Sequence, residues 1–124
     1  MIKLTDYGVK IDGSSLGAGQ GEYEFEVATQ VGGISVQTTG AALLWGLSTH
    51  GLSVTIVPYD PWVCNAGYKP GFLSVRFSPR NWMTRWQNRC NQPGQGGTNP
   101  REVLFHELVH ALRDVSGKWR RGEA

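Results

Sequence analysis

The order of patterns along this chain predicts an α+β domain, with a small, mostly antiparallel sheet packed against a C-terminal helix. Three observations carry that expectation. Glycine supplies 17 of the 124 residues, about twice the usual share of roughly 7%, which favours tight turns and short strands over a helical bundle. Strand-like stretches, β-branched or alternating, fall in the first two-thirds of the chain. The strongest helix signal comes last, beginning at Asn99.

The early elements follow in order. Residues 7–12 read as a short strand closed by the turn-prone pair Asp12-Gly13. Tyr23, Phe25 and Val27 alternate with Glu22, Glu24 and Glu26, the period of a strand with one wet face. Residues 34–38 read as another strand after the Gly32-Gly33 break, and residues 39–48 as a short helix despite Gly40 and Gly46. Residues 52–57 are β-branched and stop at Pro58; residues 72–77 form a further strand candidate that stops at Ser78-Pro79. Long loops are expected over residues 58–71 and 88–99, the walls of a functional cleft. Between them, Trp82 and Trp86 are spaced for one helical turn.

Length and composition bound the rest. At 13.6 kDa the chain suits one domain, residues 1–124, with a core able to fold without staples. Hydrophobic residues make up 40% and charged residues 18%, which excludes wholesale disorder. The apolar runs fall far short of the roughly 20 residues of a membrane span, and Met1-Ile2-Lys3-Leu4-Thr5-Asp6 has no apolar core of a signal peptide. Cys64 and Cys90 do not make a disulfide scaffold. Charge is uneven: residues 1–70 hold three Lys against six Asp and Glu, net −3, whereas residues 71–124 hold nine Lys and Arg against four, net +5. A basic second half attracts acidic partners.

The last helix is framed by Asn99 as N-cap, Pro100 at its first position, Glu102 three residues after the cap and Gly117 at its end. Within it lies His106-Glu107-Leu108-Val109-His110, an H-E-x-x-H motif. Residues four apart on a helix share one face, with Cβ atoms about 5–6 Å apart, so both imidazoles can reach one zinc ion at about 2.0–2.1 Å. Glu107 stands beside them, placed to take a proton from a water acidified by the metal and to pass it to a leaving amine. At about 100° per residue, Leu104, Leu108, Ala111, Leu112 and Val115 share one arc, and His106, Glu107, His110, Arg113 and Asp114 fall opposite. The apolar arc is expected against the sheet and the other arc in a cleft.

The pattern does not supply a third protein ligand. Asp114 lies eight residues after His106, about 12 Å along the axis, too far for three short side chains to converge, and Glu102 fails by the same geometry. Glu123 is the penultimate residue. Cys64, Cys90, His50 and Asp60 remain long-range candidates that the sequence does not rank.

Residues 98–117, Thr-Asn-Pro-Arg-Glu-Val-Leu-Phe-His-Glu-Leu-Val-His-Ala-Leu-Arg-Asp-Val-Ser-Gly, resemble the signature of the M91-type bacterial effector metallopeptidases. There, a proline precedes a leucine-rich helix, H-E-L-I/V-H-A follows, and a glycine closes it. Residues 1–97 are loosely similar in layout. The resemblance implies a zincin-like fold and a zinc metallopeptidase with catalytic Zn2+ held by His106 and His110, with Glu107 as general acid/base. It implies protein substrates, a cognate delivery or immunity protein, and action in a target-cell cytoplasm without a classical signal peptide; otherwise the protein is cytoplasmic. That family carries an acidic stretch after the closing glycine. Here Lys118-Trp-Arg-Arg-Gly-Glu-Ala124 follows, which makes the chain a C-terminally truncated fragment or a minimal version with another third ligand.

Three other readings compete. A catalytically inactive zincin-like binding module would bind zinc without proteolysis. A deformylase-like hydrolase would use Cys64 as third ligand, though Trp62-Val-Cys-Asn-Ala-Gly67 lacks the Glu-Gly-Cys-Leu pattern of those enzymes. A nucleic-acid-binding domain would use Arg76, Arg80, Arg85, Arg89 and Arg101, interleaved with Phe72, Phe77, Trp82 and Trp86, for phosphate contacts and stacking. Neither a membrane nor a nucleic acid is the expected partner.

Overall fold

Short β-branched stretches and their turns build a five-stranded sheet, and apolar stripes of helical period cover one of its faces. The computed structural model describes residues 1–59, 66–79 and 99–117. The strands are β1 (Ile2–Leu4), β2 (Val9–Ile11), β3 (Val54–Val57), β4 (Gly67–Lys69) and β5 (Ser74–Arg76), ordered β1-β2-β3-β5-β4. The helices are α1 (Gln20–Ser35), α2 (Thr38–Thr49) and α3 (Pro100–Val115). This is the expected mixture of α and β, but the sheet is mixed rather than mostly antiparallel. The edge pairs β1–β2 and β4–β5 are antiparallel, and the central pairs β2–β3 and β3–β5 are parallel.

The parallel centre follows from helices standing where strands are expected. Residues 22–27 and 34–38, expected as strands, belong to α1 and to the junction between α1 and α2. Tyr23, Val27, Val31 and Ile34 are all buried, spaced as one helix face, whereas Phe25 is 70% exposed. Six alternating residues mimicked a strand; the longer window is helical. With two helices between them, β2 and β3 are joined by a crossover that returns the chain in the same direction. The Gly32-Gly33 pair does not break α1; the Arg101 guanidinium of α3 lies where a Cβ on Gly33 would stand. Arg101 Nε donates to Gln30 Oε1 at 3.0 Å and fixes α3 along α1.

The other elements follow the sequence closely. Residues 5–7 form a 3-10 turn ended by Gly8 at φ 67°, so the expected strand over residues 7–12 shortens to β2. The helix expected at residues 39–48 is α2, and the strands expected at 52–57 and 72–77 are β3 and β5. In the stretch read as a loop from 58 to 71, β4 emerges as an edge strand. Asn99 caps α3, its Oδ1 accepting the Arg101 N–H at 2.8 Å, with Pro100 in the first turn. Gly117, at φ 74°, follows the helix end. The pair Trp82 and Trp86, Cys64, Cys90, Asp60, Glu123 and all but Asn99 of the 88–99 loop lie outside the described residues.

The core lies between the sheet and the helices. Val9, Ile11, Val54, Ile56, Val75 and Phe77 meet the stripe of α1, Leu43, Leu44 and Leu47 of α2, and Val103, Leu104, Leu108 and Ala111 of α3. No helix among the described residues is long and apolar enough to cross a membrane.

Candidate active site

α3 brings the three motif residues together but does not divide them as the helical wheel suggests. It packs against α1, α2 and the β4–β5 hairpin, so more than one arc is covered. Glu107 is 3% and His110 8% exposed, on the side that also buries Val103, Leu104, Leu108 and Ala111. The His106 side chain keeps 43% exposure. The expected opposition of an apolar arc and a polar cleft-lining arc is therefore corrected: Glu107 and His110 enter the packed side, and His106 stands at its rim.

The two imidazoles nevertheless converge. His106 Nε2 and His110 Nε2 stand 3.1 Å apart, with ring centroids 4.6 Å apart and planes at 86°. Two nitrogens bound at about 2.0–2.1 Å to a tetrahedral ion are separated by about 3.3–3.4 Å. The observed pair fits that donor set with a shift of a few tenths of an ångström.

Glu107 completes the cluster. Its Oε2 lies 4.0 Å from His106 Nε2, and its Oε1 is buried without a hydrogen-bond partner. Burial pushes its carboxyl above the ordinary glutamate value, while the His106 and Arg76 charges pull in the opposite direction. A buried carboxylate oxygen left unpaired is costly and marks a place where a water or ligand proton belongs.

Two residues that the sequence did not single out for this site are coupled to it. The Tyr59 hydroxyl is also buried and unpartnered. Burial raises the phenol to about 12, Arg76 working against the rise and Glu107 adding to it. Tyr59 follows Pro58 at the end of β3, and Arg76 ends β5. A polar aromatic just past a β-branched strand was the available signal, because loops at strand ends carry functional groups.

The remaining candidates separate. Asp114 is engaged elsewhere: its Oδ2 accepts the Tyr68 hydroxyl at 2.6 Å and the Gly71 N–H at 3.1 Å. It is an anchor for the β4–β5 hairpin. His50 Nε2 lies 3.3 Å from Ser116 Oγ, beyond the end of α3. Glu102 is exposed in the first turn. Among the described residues no group of three His, Cys, Asp or Glu side chains is arranged to hold a metal; Cys64, Cys90, Asp60 and Glu123 lie outside them. Of the basic-aromatic series, Phe77 is fully buried and Arg101 is engaged with α1, so neither is free to stack or to meet phosphate.

No family model, curated protein or solved structure matches the chain.

Proposed function

We propose that the protein is a zinc-dependent metallopeptidase with a zincin-like fold, acting on peptide bonds of protein substrates in an effector- or toxin-like role. The observation that carries the reading is the convergence of His106 and His110 to 3.1 Å beside a buried carboxylate oxygen without a partner. Placement of α3 against the edge hairpin of a mixed sheet supports the zincin-like assignment. The resemblance of residues 98–117 supports the effector-like role, delivery to a target-cell cytoplasm, and a cognate delivery or immunity partner.

His106 and His110 would hold the ion through Nε2, the two ring nitrogens that converge. When bound, zinc supplies Lewis acidity toward a peptide carbonyl and toward water. Glu107 Oε1 orients a water and takes its proton, and the same carboxyl returns that proton to the leaving amine nitrogen. Burial that raises the Glu107 pKa favours such exchange closer to neutrality.

Elemental analysis and a proteolysis assay test this. The unchanged chain should bind about one zinc and hydrolyse protein. His110→Ala should lose the metal. Glu107→Gln should keep it while cleavage falls by about 10²–10⁴-fold. Unchanged zinc in His110→Ala, or full cleavage by Glu107→Gln, overturns the reading. Zinc bound by an unchanged chain that cleaves nothing favours the inactive binding module.

A further inference from the structure

We propose that the sheet face opposite the helices docks an acidic segment of a protein partner. In calling that partner the substrate, and only there, the inference rests on the peptidase reading. The register places Lys3 opposite Lys10, Lys10 opposite Thr55, Thr55 opposite Ser74, and Ser74 opposite Lys69. One row across all five strands thus carries three lysines, and Arg76 joins them in the next row, opposite Val57 and Gly67. Their neighbours along the strands (Ile2, Leu4, Val9, Ile11, Tyr68 and Val75) turn to the core side. This parity puts the cations on the face that none of the described helices covers.

Like charges paired across strands destabilise a sheet, so the arrangement asks for an anion from outside. Among the described residues no ion pair engages Lys3, Lys10 or Lys69, whereas Arg76 already acts on the Glu107 carboxyl. Among the described residues Asp12 is the one carboxylate lining the cleft on this face, and it already accepts the Ser14 N–H at 3.0 Å. The cleft, of about 410 Å³, is lined by Lys69, Arg76, Ser14, Ser15, Ser74 and Tyr59, cations and hydroxyls suited to carboxylates. Beside it, Phe72 is 70% exposed, with the Lys69 ammonium 4.7 Å from its ring centre.

A polypeptide fits better than a nucleic acid. Single-stranded nucleic acids are held by bases stacked on aromatic rings. Among the described residues the strands present no aromatic ring on this face, since Tyr68 turns to the core side and hydrogen-bonds Asp114, and Phe72 beside the cleft is a single ring already met by the Lys69 ammonium.

The test is fluorescence anisotropy of a labelled, glutamate-rich decapeptide with full-length Glu107→Gln protein in chelator. Neither metal nor hydrolysis then contributes, and a failure of the peptidase reading leaves this result untouched. Saturable binding is expected, weakening about tenfold between about 50 and about 300 mM NaCl. The pair Lys10→Glu with Lys69→Glu should weaken it at least about tenfold, and the milder Lys10→Gln with Lys69→Gln should fall between, with circular dichroism unchanged. Arg113→Gln, on α3, should bind as before. No binding at low salt, equal loss in Arg113→Gln, insensitivity to the Gln pair, or tighter binding of an oligothymidylate of equal charge overturns the proposal.

Discussion

Two buried phenols near the ends of β3 and β5 show how one hydroxyl can stabilise and another cost. The Tyr23 hydroxyl donates to the Phe77 carbonyl at 2.6 Å, whereas the Tyr59 hydroxyl has no partner. Burial raises both phenols above their ordinary value, so both remain protonated donors at neutral pH. Removing a satisfied hydroxyl costs about 1 kcal/mol, and removing an orphaned one relieves a desolvation penalty of about 1–3 kcal/mol. In urea unfolding, Tyr23→Phe should lower stability by about 1 kcal/mol and Tyr59→Phe should raise it by a similar amount. Equal destabilisation by both would mean that the Tyr59 hydroxyl is already satisfied. A structural orphan kept beside Glu107 fits the view that stability is sacrificed at functional sites. The sequence offered only the position of Tyr59 past a β-branched strand, because its hydroxyl becomes informative only when α3 brings Glu107 into electrostatic reach.

At the scale of elements, α3 was the most legible part of the chain and its surroundings the least. Cap, proline and closing glycine sit where local chemistry requires them, and H-E-x-x-H spacing translates directly into converging rings. Burial did not translate, since a wheel knows nothing of α1 and α2 closing in from other sides. α1 itself was obscured by its charged alternation and its glycine pair, of which Gly33 makes room for the Arg101 guanidinium of another helix. β4 is three residues long and carries too little periodicity to be read. It is held by a contact equally remote in sequence, the Asp114 carboxylate gripping Tyr68 and Gly71. Hydrogen bonds to charged acceptors contribute about 1.5–3 kcal/mol, so Asp114→Ala should destabilise the fold by about that amount. Much of the loss should vanish in a Tyr68→Phe background, the coupling that a double-mutant cycle reads. Additive losses would show that the hairpin is held by other means. Amide exchange should quicken first in β4, an edge strand with one neighbour.

For the whole molecule, a buried carboxylate at the junction between the sheet and α1 ties stability to pH. Glu24 on α1 is 4% exposed. Its Oε2 accepts the Gly13 N–H at 2.9 Å and the Gln20 amide at 2.8 Å, and its Oε1 lies 3.1 Å from the Met1 ammonium. Burial pushes the carboxyl up, but these donors outweigh it and hold the pKa below the ordinary value. Asp12, bonded to Ser14 at the same junction, is shifted in the same direction. An unfolded glutamate titrates near about 4.3. Between that value and the lower folded value the unfolded chain binds more protons, so stability rises with pH in this window. The contribution is therefore complete above about 4.3 and is lost as pH falls through the folded pKa. Thermal unfolding followed from pH 7 down to pH 3 should show the midpoint dropping below about 4.5. In Glu24→Gln the acid limb should be shallower, with a cost near pH 7 of about 1–3 kcal/mol. The result that sinks the argument is an acid limb as steep in the glutamine variant as in the parent, for then carboxylates elsewhere govern the acid response and the Gly13–Glu24 contact contributes little to joining α1 to the sheet.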